Sequence, residues 1–184
     1  MKKLLFLAVA AFLMWATPAS AQVELGLNGG LGQYTGDDFE GAEVGFGAGA
    51  HLLFGEDDVR FGFGGAYGQY GFEDTEEKTT AIDVFGLFRY MFPGESARFF
   101  LGGQAGFHRL SADIFDVSIS SNGFAAGPVA GVHIPLSSLS IELSGDLRYV
   151  KLGDISGEGE TIEDSDSSGM IWGVKVGIAV PIGG

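Results

Sequence analysis

From Gln22 onward, apolar residues alternate with polar residues or glycines at a period of two, the spacing of strands that face two different environments. Val23, Leu25 and Leu27 alternate with Glu24, Gly26 and Asn28. Val44, Phe46, Ala48, Ala50 and Leu52 stand against Glu43, Gly45, Gly47, Gly49 and His51, and Val59, Phe61, Phe63 and Tyr67 against Arg60, Gly62, Gly64 and Ala66. Further apolar faces are Ile82, Val84, Phe88, Tyr90; Phe99, Leu101, Ala105, Phe107; and Phe124, Ala126, Ala130, Val132, Ile134. The seventh segment sets Ile141, Leu143, Leu147 and Tyr149 against Glu142, Ser144, Asp146 and Arg148. The eighth sets Trp172, Val174, Val176, Ile178 and Val180 against Gly173, Lys175, Gly177 and Ala179. The fourth segment is the least regular, because Phe85 and Leu87 fall on its polar side.

Eight strands, an even number, suit a closed single-chain barrel. The connections alternate in length: 55–58, 93–96 and 137–139 are short, whereas 35–41, 73–80, 111–122 and 152–168 are long. Strands of about ten residues, rising ~3.3 Å each and tilted by ~40°, cover the ~25 Å apolar band of a membrane barrel. The predicted fold is therefore all-β: a closed eight-stranded antiparallel up-and-down transmembrane β-barrel, with the long loops outside. Aromatic residues gather at the strand ends. Phe54, Tyr90, Phe92 and Phe99 lie beside the short turns; Tyr34, Phe72, Phe107, Phe124, Tyr149 and Trp172 lie beside the long loops. Two interfacial girdles are expected from them.

The N-terminus carries a different signal. Lys2 and Lys3 precede 13 apolar residues, Leu4 to Ala16, and then Thr17, Pro18 and the small residues Ala19, Ser20 and Ala21. This is the layout of a cleavable signal peptide over residues 1–21, too short for the ~20 residues of a membrane-spanning helix. Residues 22–184 then form one barrel domain. With no cysteine, disulfides, thiolate metal sites and a cysteine nucleophile are excluded.

Charge decides which face is inside. Without Lys2 and Lys3 the remaining chain has 24 acids and 8 Lys plus Arg, so 8 − 24 = −16, which disfavours nucleic acid as a partner. The polar strand faces nevertheless hold five bases, Arg60, Arg89, Arg98, Arg148 and Lys175, and five acids, Glu24, Glu43, Asp83, Glu142 and Asp146. His51, His108 and His133 share these faces. A solvated surface would carry part of the acidic excess, whereas an enclosed lumen must neutralise itself because unpaired buried charge is costly. The ten charges are read as a luminal ion-pair network, with the excess in loops, turns and strand ends. Glycines on the same face, including Gly26, Gly30, Gly45, Gly47, Gly49, Gly62 and Gly64, make room in a narrow barrel.

The Gly-rich strands GAEVGFGAGAHLLF and GFAAGPVAGVHIPL, with ELSGDLRYVKL before the last long loop, resemble the small outer-membrane barrel family of the OmpA transmembrane domain and OmpX. The resemblance covers residues 22–184. It implies an outer-membrane location, contact with outer-membrane lipid and lipopolysaccharide, and the barrel insertion machinery as a partner. Such barrels usually end on an aromatic residue that this machinery reads. This sequence ends Pro181, Ile182, Gly183, Gly184, so less efficient insertion is expected.

Chemistry is sparse. The long loops hold 15 acids, read as a solvated rim that presents a surface for ligands; hard cations are the alternative, without EF-hand spacing to support it. Arg109 and Lys151 continue apolar faces at the loop end and are candidates for lipid-phosphate contact. His108 near Ser111 suggests a hydrolase pair, yet no nucleophile elbow or HExxH motif accompanies it. No catalytic site, metal or cofactor is expected. The expected protein is a monomeric, non-enzymatic outer-membrane barrel with a plugged lumen. The alternatives are a narrow porin-like channel, an outer-membrane lipid-modifying enzyme and a periplasmic lipocalin-like carrier.

Overall fold

A computed structural model describes residues 22–56, 58–73, 78–114, 117–157, 160–162 and 167–182; the expected signal peptide, 1–21, lies outside them. The strands are β1 (Gln22–Thr35), β2 (Gly45–Glu56), β3 (Val59–Tyr70), β4 (Thr79–Met91), β5 (Arg98–Ile114), β6 (Val117–Pro135), β7 (Ser140–Gly157), β8 (Glu160–Ile162) and β9 (Ser167–Ile182). Each strand from β1 to β7 pairs antiparallel with the next, β7 pairs with β9, and β9 returns to β1 in register from Val23↔Ile182 to Thr35↔Met170. The barrel is closed by eight staves, as the alternation predicts. β8 is an added three-residue strand on Ile155–Gly157, outside the wall.

The stave lengths depart from expectation. β5, β6 and β7 run 17, 19 and 18 residues, against 12 to 14 for β1 to β4, so they overrun the ~25 Å apolar band. Much of 111–122 and 152–157, expected as loop, is paired strand: Ser111 faces Ser120 and Ser156 also faces Ser120. Backbone pairing needs no apolar face, so polar Ser-rich sequence continues the ladder into water. One irregularity interrupts it, where β7 has an extra residue opposite Ser121–Gly123. The Ser121 hydroxyl donates to the Gly153 carbonyl there at 2.6 Å.

Side-chain direction fixes which barrel this is. Phe99, Val84, Val176, Phe46 and Phe61 are 57–63% exposed, while Arg89, His108 and Glu142 are at most 4% exposed. The apolar face is outside and the charged face inside, the inverse of a soluble carrier with an apolar lumen. No helix among the described residues is long and apolar enough to cross a membrane; the strands themselves form the apolar band. Rings pack along its short-turn edge, Tyr90 edge-on to Phe92 at 5.0 Å and Phe61 tilted on Phe88 at 5.2 Å.

Lumen space is set by glycine. A Cβ at Gly26 would meet the His51 ring, and one at Gly45 the ring of Tyr70. At the long-loop end, Gly36 (φ 126°) and Gly41 (φ 79°) adopt backbone conformations open mainly to glycine, and they turn the first loop inward. Its short 3₁₀ turn, Asp37–Phe39, buries Phe39 against Tyr34, with ring centroids 4.9 Å apart. Tyr70 meets Tyr34 edge-on at 4.7 Å. Ala42 bridges to Phe72, and Gln33 donates to the Ala42 carbonyl at 2.7 Å. Tyr34 is thus 1% exposed inside the barrel, contrary to its expected place in the outer girdle. Phe72 also packs against this inner cluster. Strand alternation points Tyr34 inward with Glu24, and the Ala42 bridge holds Phe72 beside it.

Replacing Gly26 by Val forces the His51 ring from its place. A destabilisation of about 1–3 kcal/mol is expected, read as a lower urea midpoint for the barrel in lipid vesicles; an unchanged midpoint would mean that His51 repacks freely.

Candidate functional site: a neutral, two-layered lumen

Two charged layers fill the barrel. Nearer the short turns, Arg60 donates to Glu24 at 2.8 Å, and Arg89 binds Glu142 through two bonds of 2.6 and 3.0 Å. These residues lie within a few positions of their strand ends, so β1, β3, β4 and β7 present them at one level. The Arg89 guanidinium also lies 4.4 Å over the Phe100 ring, which packs with Met91 and Val129. His51 and His133 are buried beside this layer.

The second layer is a chain of polar groups under the aromatic cap. Tyr34 Oη is 2.9 Å from His108 Nε2, and His108 Nδ1 is 2.6 Å from Asp83 Oδ1. An ionised Asp83 accepts from His108 Nδ1–H, which fixes the ring so that Nε2 faces the Tyr34 hydroxyl. Arg148 joins Asp83 at 3.1 Å to Asp146 at 2.9 Å, and Lys175 reaches Asp146 at 2.5 Å.

Each layer contains two acids and two bases among its Asp, Glu, Arg and Lys side chains. Burying charge in so narrow a space is costly unless each group has a partner, and the register of the staves provides one for each. A cavity of about 40 Å³ lies beside Asp83, Arg148 and Lys175 under the cap. That volume holds a few waters and no hydrated solute.

Eight of the ten charges expected in the lumen are brought together there. Glu43 is exposed ahead of β2, because the first loop turns inward before that strand begins; its amide donates to the Gly71 carbonyl. Arg98 sits at the short-turn rim and pairs with Asp58 at 3.0 Å. Arg109 is exposed on the outer wall, with the Ser111 and Ser120 hydroxyls at 3.3 and 3.2 Å. Lys151 is also exposed. Arg109 stands opposite Asn122 and Lys151 opposite Phe124, two residues apart on β6. His108 and Ser111 form no hydrolase pair: His108 is fully buried between Asp83 and Tyr34, while Ser111 binds Arg109. Asp37, Asp38 and Glu40 are exposed, with Asp38 accepting from the Ser168 amide at 2.7 Å. The loop acids at 74, 76, 77, 116, 158, 163, 164 and 166 lie outside the described residues.

A closed sheet with an apolar outside and a paired-charge inside defines a transmembrane β-barrel of the bacterial outer membrane. The chain belongs to the outer membrane protein beta-barrel domain family, whose model matches residues 4–179. The fold is similar to that of Neisserial surface protein A, at 15% identity over 89% of this chain and 99% of that one, with a TM-score of 0.67. It also resembles a major outer membrane protein of Thermus thermophilus (14% identity, 89% and 100% covered, TM-score 0.54). The N-terminal barrel domain of Pseudomonas aeruginosa OprF is similar too (14%, 89% and 100%, TM-score 0.51). No curated protein matches the sequence. Membership of this family places the protein in the outer membrane and removes the periplasmic carrier, for which the apolar face would have to line the lumen.

Arg89→Met leaves Glu142 buried without its partner and is expected to cost about 3–5 kcal/mol. Adding Glu142→Met should restore much of that loss. Equilibrium unfolding of the two single variants and the double variant measures the coupling, and additive losses would contradict it.

Proposed function

We propose that the protein is a non-enzymatic outer-membrane barrel whose plugged lumen serves as a rigid mount for acidic loops in envelope integrity or surface contact. The observation that carries this reading is the stacking of an aromatic cap on two charge-neutral layers. Together they occupy the cross-section that a solute would need. Interior side chains nearly fill an eight-stranded barrel in general, and here the cavity beside Asp83 and Arg148 is only a few waters in size. The exposed carboxylates of Asp37, Asp38 and Glu40 stand on the first loop, anchored at its base by Phe39.

The same mount projects β5, β6 and β7 beyond the apolar band. At its foot, Arg109 and Lys151 stand on the outer wall two residues beyond Phe107 and Tyr149, beside Phe124, where this reading puts the outer-leaflet headgroups. Their role in this reading is contact with lipopolysaccharide phosphate, with the two serines beside Arg109 as further donors.

Reconstituted in a planar bilayer, the protein should give no steady single-channel conductance. Reproducible unitary steps would favour the narrow channel instead. Replacing Arg109 and Lys151 together by Ala should weaken lipopolysaccharide association by roughly thirtyfold, at ~1 kcal/mol per cation; unchanged association would remove the phosphate role.

A further inference from the structure

At the short-turn mouth of the lumen, the ion-pair layer contains more donors than its two arginines use. Glu24 gives Oε2 to Arg60, and its Oε1 has no hydrogen-bond partner among the described residues. His133, 5% exposed, has Nδ1 without a partner; its Nε2 lies 3.8 Å from Glu24 Oε2, too far for a hydrogen bond. One ligand atom each from Glu24, His133 and Glu142 fall within 4.8 Å of one another. His51, also 5% exposed, has Nε2 without a partner. Its ring lies over Gly26, two residues from Glu24 on the same face of β1.

We propose that Glu24, His133 and Glu142, with His51 as a fourth donor, form a binding site for a first-row divalent transition ion such as Zn²⁺. Imidazole donors select such ions over Mg²⁺ and Ca²⁺, which take oxygen ligands. A tetrahedral ion with bonds of about 2.1 Å holds its donors roughly 3.4 Å apart. Glu24, His133 and Glu142 already bring one donor each to within 4.8 Å of one another. A carboxylate oxygen has two lone-pair positions, so Glu142 can hold both Arg89 and an ion. Arg60 and Arg89 then orient the ligating carboxylates, as outer-shell partners do. They also offset the carboxylate charge, so the affinity falls below that of structural zinc sites. Entry is from the short-turn side, where Glu24 and Glu142 lie close to their strand ends.

The test uses the tag-free, refolded barrel, stripped of metal and titrated with Zn²⁺ in the presence of excess Mg²⁺ to occupy the loop carboxylates. One Zn²⁺ per barrel is expected by calorimetry. His133→Gln should weaken it at least tenfold, with folding checked by heat-modified gel migration, while Glu40→Gln on the exposed loop leaves it unchanged. Absence of stoichiometric binding, or equal affinity in His133→Gln, overturns the site. A measurement on the wild-type protein is independent of any variant's folding: Cu²⁺ bound there should show imidazole-nitrogen couplings in its electron paramagnetic resonance spectrum. An oxygen-only spectrum overturns the proposal, since His108 is already engaged at both ring nitrogens.

Discussion

In hydrocarbon, a strand cannot leave its backbone amides and carbonyls unpaired, since no water is there to take them. The ladder between β1 and β9 meets this constraint at the last open edge, and the rest of the structure follows from that closure. Eight staves enclose a cylinder just wide enough for side chains. Period-two alternation then sends every second residue inward, whatever its chemistry. What points inward has to fit, be paired and balance in charge; what points outward has to be apolar. The Gly-rich inner face and the exposed rings outside are two consequences of one geometry.

Within that cylinder, register converts separate charges into a network. Glu24 and Arg60 reach each other across the one intervening stave β2, whereas Arg89 and Glu142 stand three staves apart, so that bond crosses the lumen. The lumen thus acts as an interior strut between opposite walls. The upper layer does the same through Asp83, which receives His108 from the next stave and Arg148 from a distant one. Such ties oppose collapse or ovalisation of the barrel, and they hold the aromatic cap by the hydroxyl of Tyr34. A rigid wall suits a protein whose loops are presented to the outside.

The outer half shows how polar sequence can still be strand. Above the lipid band water is available, so no side-chain pattern is demanded there, and backbone pairing alone extends β5, β6 and β7. The alternation that marks a stave in lipid vanishes at the point where lipid ends. This is why 111–114 and 117–122 read as loop in sequence and are paired strands in space.

The alternation by itself determined the number of staves and their up-and-down order, because each follows from a local period, but it did not say which face is outside. The balance of acids and bases on the polar face decided that, because an enclosed lumen has to neutralise itself. Sequence also held the members of the network, apart from Glu43 and Arg98, whose inward placement depended on where a strand begins and which turn acid lies near. Tertiary structure alone decided the partners. Which carboxylate meets which guanidinium depends on stagger between strands far apart in the chain. The folding of Phe39 over Tyr34 depends on two glycines whose left-handed turns leave no period to read. The meeting of Glu24, His133 and Glu142 is of the same kind: three staves bring to one level donors that no spacing in the sequence connects.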